Sequence, residues 1–522
     1  MNNQELSQEM GLERIATGVP GLDEILEGGF FEGAVYIVRV TLGAGKTILA
    51  NQICFQHARH GRRALFVTLL AENHARMLQH LEHMSFYDGR LIPKYVYYIS
   101  AFRVLEENGL KGMMDLLRRE MRAHEASILV LDGLIAVEET STSDREFRKF
   151  IHELQAHAAA AACCTLLLTN GRRGEYHPEH TMVDGLITLE DVPYGKRRQR
   201  ELEVRKFRGS KSLRGRHPFQ ITDDGLVVHP RPESRFLRNE AGSGMRRIST
   251  GVDQLDEMTH GGLTDPSSTL LLGASGTGKT TLGTAFLQRS SKAEPGLYFG
   301  FYESPERLFA NAASVGIDLR SRAEAGHLQI IWRPTVERII DSLGNELIEH
   351  VRRRKVRRLF IDGWGGFAAA AESDERLPPF FGAITNELRS LGVTTVCAME
   401  TENLIGPELN LPVRGISAIT ENMILLRFAE YQGQLRRLIS IMKVRGSSFD
   451  HALRQFDIGP RGLHFTNSFE SAEGLLSGYG SESAVSRPQP RSQPRPTTRT
   501  KATSAKKQSQ GRRAGARRRS RK

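Results

Sequence analysis

The stretch Gly273-Ala274-Ser275-Gly276-Thr277-Gly278-Lys279-Thr280 combines glycines, a lysine and a hydroxyl residue at the spacing of a phosphate-binding loop. Its flanks agree with that reading: residues 269–272 are apolar and β-prone, and apolar residues at helical spacing follow. In such a turn, backbone N–H groups and a helix N-terminus cradle phosphates. Lys279 would reach the outer phosphates and Thr280 a Mg²⁺ ion, with Thr281 in the same first helical turn. An acid at the end of a buried strand should then hold the metal's water shell, and Asp362 closes the run Arg358-Leu359-Phe360-Ile361. The expected cofactors are ATP and Mg²⁺.

The same chemistry is written earlier in the chain, less completely. Val40-Thr41-Leu42-Gly43-Ala44-Gly45-Lys46-Thr47 keeps the lysine and the hydroxyl, with Ile48 next, but puts Val40 where the first glycine belongs. A β-branched residue there is a poor fit if the loop needs an unusual backbone angle, so retained but weakened nucleotide binding is expected. Asp132, after the apolar run 128–131, is the matching metal-side acid.

The two loops are 233 residues apart, and other phrases return at nearly the same interval. Thr17-Gly18-Val19-Pro20-Gly21-Leu22-Asp23 reappears as Thr250-Gly251-Val252-Asp253-Gln254-Leu255-Asp256. Lys206-Phe207-Arg208-Gly209-Ser210 reappears as Lys443-Val444-Arg445-Gly446-Ser447 after 237 residues. That period is too long for a solenoid and matches a whole domain duplicated in tandem. Each copy alternates short apolar runs with helix-length patterns, which predicts a mainly parallel sheet flanked by helices, with ligands at the carboxyl ends of its strands. The expected fold class is therefore α/β, with two tandem P-loop domains over residues 12–232 and 245–470, followed by a tail over 471–522.

These motifs together resemble the KaiC family of tandem RecA-like ATPases, over about residues 12–470. The resemblance rests on the Thr-Gly-Val-x-x-Leu-Asp openings, both phosphate loops, both strand-end acids and both Lys-x-Arg-Gly-Ser segments. It implies a homo-oligomer, a hexameric double ring, with ATP at the subunit interfaces. Two residues apart on a strand, Lys443 and Arg445 share a face, as do Lys206 and Arg208. Alone that pattern also suits a solvated strand surface; the resemblance implies that each pair reaches the neighbour's γ-phosphate and stabilises transition-state charge. Family members carry adjacent glutamates after the second strand. Here Glu303 is kept as the general-base candidate and Tyr302 takes the other position, while the first copy has Leu70 and Ala71, with Glu72 one step late. The first domain is thus expected to bind ATP without efficient hydrolysis. The clock members of the family autophosphorylate on adjacent Ser and Thr; Ser417 matches the serine but Ala418 has no hydroxyl, which leaves one acceptor and a serine/threonine autokinase of at most one site there.

The composition bounds the alternatives. The chain has 522 residues, 25% of them charged, and four cysteines without a Cys-x-x-Cys pair, so neither a disulfide scaffold nor a structural zinc site is expected. No apolar run is long enough to span a bilayer, and the first residues are polar and acidic, which points to a cytoplasmic protein. The net charge of +12 comes from the end of the chain: residues 487–522 hold 14 Lys and Arg and no acid, leaving 58 basic against 60 acidic side chains elsewhere. That Pro-, Ser- and Arg-rich tail reads as disordered. It is suited to nucleic acid or another polyanion, or serves only to solubilise. Competing with an ATP-dependent regulatory enzyme are a DNA-associated RecA-type motor and an ATP-assembled scaffold for signalling partners. The slightly acidic folded part argues against the first, and the set Glu303, Asp362, Lys443 and Arg445 against the second.

Overall fold

The computed structural model describes residues 13–482 apart from 42, 70–73, 171–178, 236–245, 337, 402–412, 414, 432, 469–471 and 474–478. The duplication read from the sequence is present as two sheets with one strand order. The first runs Gly225–Val228, Arg216–Thr222, Arg197–Phe207, Gly185–Tyr194, Val35–Val40, Cys164–Thr169, Ile128–Asp132, Ala64–Thr68, Val96–Ser100. The second repeats it as Gly462–Ser468, Arg454–Gly459, Gln434–Val444, Asn422–Tyr431, Ser268–Gly273, Thr394–Glu400, Arg358–Asp362, Gly296–Gly300, Leu328–Trp332. In both, the last six strands of that order pair in parallel and the first three add antiparallel hairpins.

The parallel strands are short runs such as Ile128–Asp132 and Ser268–Gly273, buried along their whole length. Helices cover both faces of such a sheet, so these strands carry continuous rather than alternating apolar residues. In the first domain, Lys46–Arg59 packs on one face, while Phe102–Ala123 and Asp144–Ala160 pack on the other. Lys279–Gln288 and the pair Ile340–Arg354 and Leu377–Ser390 do the same in the second. Where the chain turns into Asp144–Ala160, the Ser143 side chain accepts from the Glu146 N–H, a local cap that sets the helix start.

In each sheet the strand entering the phosphate loop lies between neighbours whose connections leave in different directions. Val35–Val40 has Cys164–Thr169 on one side and Gly185–Tyr194 on the other. A crevice opens at the carboxyl end of such a switch point, and both loops lie there.

Residues 13–481 form one compact unit, and ion pairs tie the two copies together. Arg376 of the second donates to Glu233 at the exit of the first (2.8 Å), to the fully buried Asp341 (2.8 Å) and to Glu372 (2.9 Å). Gln199, in the first copy's hairpin, donates to the same Glu372 at 2.8 Å. Removing one partner from such a buried cluster costs about 3–5 kcal/mol by leaving a charge unpaired. Beyond residue 471 the described segments are Ala472–Glu473 and Tyr479–Glu482, two short strands, Tyr479 pairing with Glu430. The basic run 487–522 lies outside the described residues.

Candidate functional site

The second loop is built by backbone conformation first. Gly276 (φ 78°) and Gly278 (φ 106°) adopt the left-handed region that glycine enters without steric cost, and Gly278 caps the helix Lys279–Gln288. Gly273 is a glycine for another reason. It ends its strand without a positive φ, but a Cβ there would stand 2.4 Å from the Leu426 carbonyl oxygen and 2.8 Å from Thr277 Oγ1. Thr277 Oγ1 donates to the Ala274 carbonyl at 2.7 Å and staples the turn, while Ser275 and Gly276 face solvent.

Lys279 Nζ rests on the carbonyls of Gly273 and Ala274, both at 2.8 Å. Burial holds its pKa below the ordinary lysine value, opposed by Glu400 and Asp362. Thr280 Oγ1 donates to both carboxylate oxygens of Asp362, at 3.2 and 3.1 Å, and Tyr298 OH donates to Asp362 Oδ2 at 2.9 Å. Burial raises the Asp362 pKa, opposed by these hydrogen bonds. Thr281 follows on the helix, partly buried. A hydroxyl beside a carboxylate at a strand end is an all-oxygen donor set, which suits a hard cation such as Mg²⁺ that keeps waters and phosphate oxygens as its other ligands. Among the described residues no cluster of three or more His, Cys, Asp or Glu forms a metal cage, and Mg²⁺ with a nucleotide does not require one.

The first loop has the same backbone and a different contact. Gly43 (φ 77°) and Gly45 (φ 95°) stand in for Gly276 and Gly278, Ala44 N donates to the Thr41 carbonyl, and Lys46, Thr47 and Ile48 open the helix. Lys46 Nζ, however, lies 2.6 Å from Asp132 Oδ1, with both side chains little exposed. Val40 turns out to be well placed. It is the last, buried residue of the strand Val35–Val40, as Gly273 is of its own, so the position demands no unusual backbone angle. The expected misfit at Val40 is therefore corrected: close approach of a carbonyl, not φ, calls for glycine at 273.

Glu303 follows the strand Gly296–Gly300. Its Oε1 accepts from Asn311 Nδ2 at 3.2 Å and its Oε2 is buried without a hydrogen-bond partner among the described residues. Tyr302 beside it is exposed and lies over Gly363, where a Cβ would come within 2.2 Å of its ring. Leu70, Ala71 and Glu72, the corresponding residues of the first copy, lie outside the described residues.

The lysines of the Lys-x-Arg pairs, and Arg208, bond to carbonyls at the ends of short helices. Lys443 Nζ donates to the carbonyls of Ser417 and Thr420, both at 2.6 Å, and so holds the end of the short helix Ile416–Ile419. Lys206 does the same to Thr181 (2.8 Å) and Val183 (2.6 Å), and Arg208 reaches Thr181 at 2.9 Å. Arg445 is exposed just past its strand. Burial and the adjacent arginine hold Lys443 and Lys206 below the ordinary lysine pKa. Ser417 is exposed on the helix that Lys443 grips.

Two residues escaped sequence reasoning. Glu400 ends the strand next to the loop strand, in register with Gly273, and Tyr298 sits mid-strand on its neighbour's acid. Tyr298 was detectable as the copy's substitute for Phe66; Glu400 had no signal beyond closing a buried run.

This doubled arrangement has known counterparts. The profile of a family described as "ATPase: KaiC" matches residues 15–233 and again 248–470. The chain belongs to the KaiC ATPase family. It is similar to the circadian clock oscillator protein KaiC of a Picosynechococcus species, 28% identical over 490 residues that cover 91% of this chain and 94% of the relative. The circadian clock protein KaiC3 of a Synechocystis species is 28% identical over 501 residues, 91% and 97% of the two chains. Both likenesses span the two repeats of this KaiC-family chain rather than one domain. None of the described helices is long and apolar enough to cross a membrane.

Proposed function

We propose that the chain is an ATP-hydrolysing regulatory protein in which the second domain turns ATP over and the first chiefly binds it. The observation that carries this division is the state of the two strand-end acids. Asp362 is paired with the metal-side hydroxyl of Thr280 and leaves Lys279 to the phosphates, whereas Asp132 holds Lys46 itself. Glu303, with one carboxylate oxygen unengaged, is the group to orient or deprotonate the attacking water. Lys443 is held by the carbonyls of Ser417 and Thr420 and Arg445 is exposed past its strand, so their action on a γ-phosphate would be on a neighbouring subunit's nucleotide, within a ring whose hydrolysis depends on assembly.

Lys443 also supports a second reading. It binds the carbonyl of Ser417, the exposed hydroxyl residue at the position of the family's phosphoacceptor, so one cation would report on both γ-phosphate and acceptor helix. The deciding experiment incubates the full chain with γ-labelled ATP and Mg²⁺ and follows free phosphate and protein-bound label together, with Glu303→Gln and Ser417→Ala as controls. Free phosphate that falls about 100-fold or more in Glu303→Gln is expected for the ATPase. Protein-bound label that vanishes in Ser417→Ala adds a one-site autokinase, and no signal in either channel leaves an ATP-assembled scaffold.

A further inference from the structure

The strand Gly296–Gly300 carries a pair of residues that its counterpart Ala64–Thr68 lacks. Tyr298 stands where the first copy has Phe66, and Gly300 where it has Thr68; the strand partners Gly300–Asp362 and Thr68–Asp132 establish the equivalence. The two changes belong together. A Cβ on Gly300 would stand 2.4 Å from the Tyr298 ring and 2.5 Å from its hydroxyl, so the missing side chain makes the room in which that hydroxyl sits. In the first copy Thr68 fills this room and spends its own hydroxyl on His74 Nε2, at 2.8 Å.

The two acids then differ in what holds them. Tyr298 is fully buried, its ring edge-on to Phe360 at 5.8 Å, and it can be rotated little without breaking that packing. Its hydroxyl donates to Asp362 Oδ2 at 2.9 Å, and Thr280, in the first helical turn after the loop, donates to the same carboxylate. Phe66 has no hydroxyl, and Asp132 closes on Lys46. A lysine and an acid bound to each other offer neither the phosphate contact nor the metal contact until they part, and parting two poorly hydrated charges is costly.

We infer that Tyr298 is a positioning residue: its hydroxyl anchors the Asp362 carboxylate beside Thr280, in place to hold a nucleotide-bound metal ion, and prevents the collapse onto the phosphate lysine that the first domain shows. The inference rests on the reading of the second site as an ATP–Mg²⁺ site. Tyr298 makes no contact with substrate; it acts through Asp362. The Tyr298–Gly300 pair is thereby the device by which two copies of one domain come to handle metal differently.

The test measures metal binding directly. The full-length protein with a non-hydrolysable ATP analogue is titrated with Mn²⁺, and free Mn²⁺ is read by its electron paramagnetic resonance signal. The parent chain should show a tight class of site from the second domain and a weaker one from the first. In Tyr298→Phe the tight class should weaken about tenfold, the size expected from losing one hydrogen bond to a charged group, with the weak class unmoved. Half-saturating Mg²⁺ for turnover should rise by the same factor while turnover at saturating Mg²⁺ falls less than threefold, a split that general loosening of the core would not produce. The reciprocal Phe66→Tyr with Thr68→Gly should tighten the weak class. An unmoved tight class in a folded Tyr298→Phe overturns the inference alone. A parent chain with no nucleotide-dependent Mn²⁺ site overturns the reading of the site, and the inference with it.

Discussion

In the first domain Lys46 lies 2.6 Å from Asp132, whereas in the second Lys279 lies on loop carbonyls and Asp362 on Thr280 and Tyr298. The loop backbones are alike, with paired glycines in left-handed conformation at 43 and 45 and at 276 and 278. The divergence is carried by side chains: Phe66 against Tyr298, Thr68 against Gly300, Ala44 against Thr277. A duplicated domain can thus keep the scaffold that surrounds phosphates while changing what its acid is bonded to. On the proposed reading the chemistry would follow the acid's partner, since a carboxylate neutralised by a lysine is lost to a metal and removes the lysine from the nucleotide.

The harshest way to break this comparison is to delete each lysine. Lys279→Ala is expected to lower ATP turnover by about 1,000-fold, the scale of removing a main charge stabiliser, while Lys46→Ala weakens assembly and leaves most turnover. Turnover assays with sedimentation of the same samples check it; equal loss of turnover with intact oligomers in both would erase the division between the domains. Next comes mixing of two inactive chains. Arg445→Ala should lose about 100-fold or more when alone, as Glu303→Gln does, and a mixture of the two should recover part of the parental rate if Arg445 acts across an interface. No recovery in mixed oligomers would assign Arg445 to the solvated strand surface instead.

A smaller effect separates the domains by pH. His217, fully buried in the first, has its pKa lowered to about 4 by burial. Its Nδ1 accepts from Arg231 N–H at 3.0 Å and Nε2 lies 3.2 Å from the Leu213 carbonyl, the pattern of a neutral ring. The sign follows: the native state binds fewer protons than the unfolded one, so stability is present above about pH 6.5 and is lost as pH falls toward 4. At the position of His217 the second domain has Arg454, paired with Asp450. Amide exchange, corrected for intrinsic rates, should show residues 213–231 losing protection between pH 7 and 5 by up to about 2 kcal/mol, and residues 450–465 changing less. Equal loss in both segments would trace the acid response elsewhere.

Much of this molecule was legible without coordinates because a repeat doubles the evidence. The two loops, Asp132 and Asp362, and the strand–helix alternation all lie in short continuous stretches whose spacing is itself the geometry. The misreading at Val40 has a physical cause. Residue type suggested a dihedral requirement, but the constraint at its counterpart Gly273 comes from Leu426, 153 residues further on. Glu303 and Ser417 could be chosen only through family resemblance, since a glutamate after a strand and a serine on a short helix are individually common.

Composition and order of residues thus determined the duplicated α/β class, the phosphate loops, their lysines and hydroxyls, and the placement of basic charge at the chain's end, because each depends on neighbours in sequence. Tertiary structure decided which partner each acid takes, that Lys443 and Lys206 grip helix ends, and that Arg376 joins the copies through Glu233, Asp341 and Glu372. Those outcomes depend on distances of two to three ångströms between residues from separate strands and helices, and only packing brings such residues together.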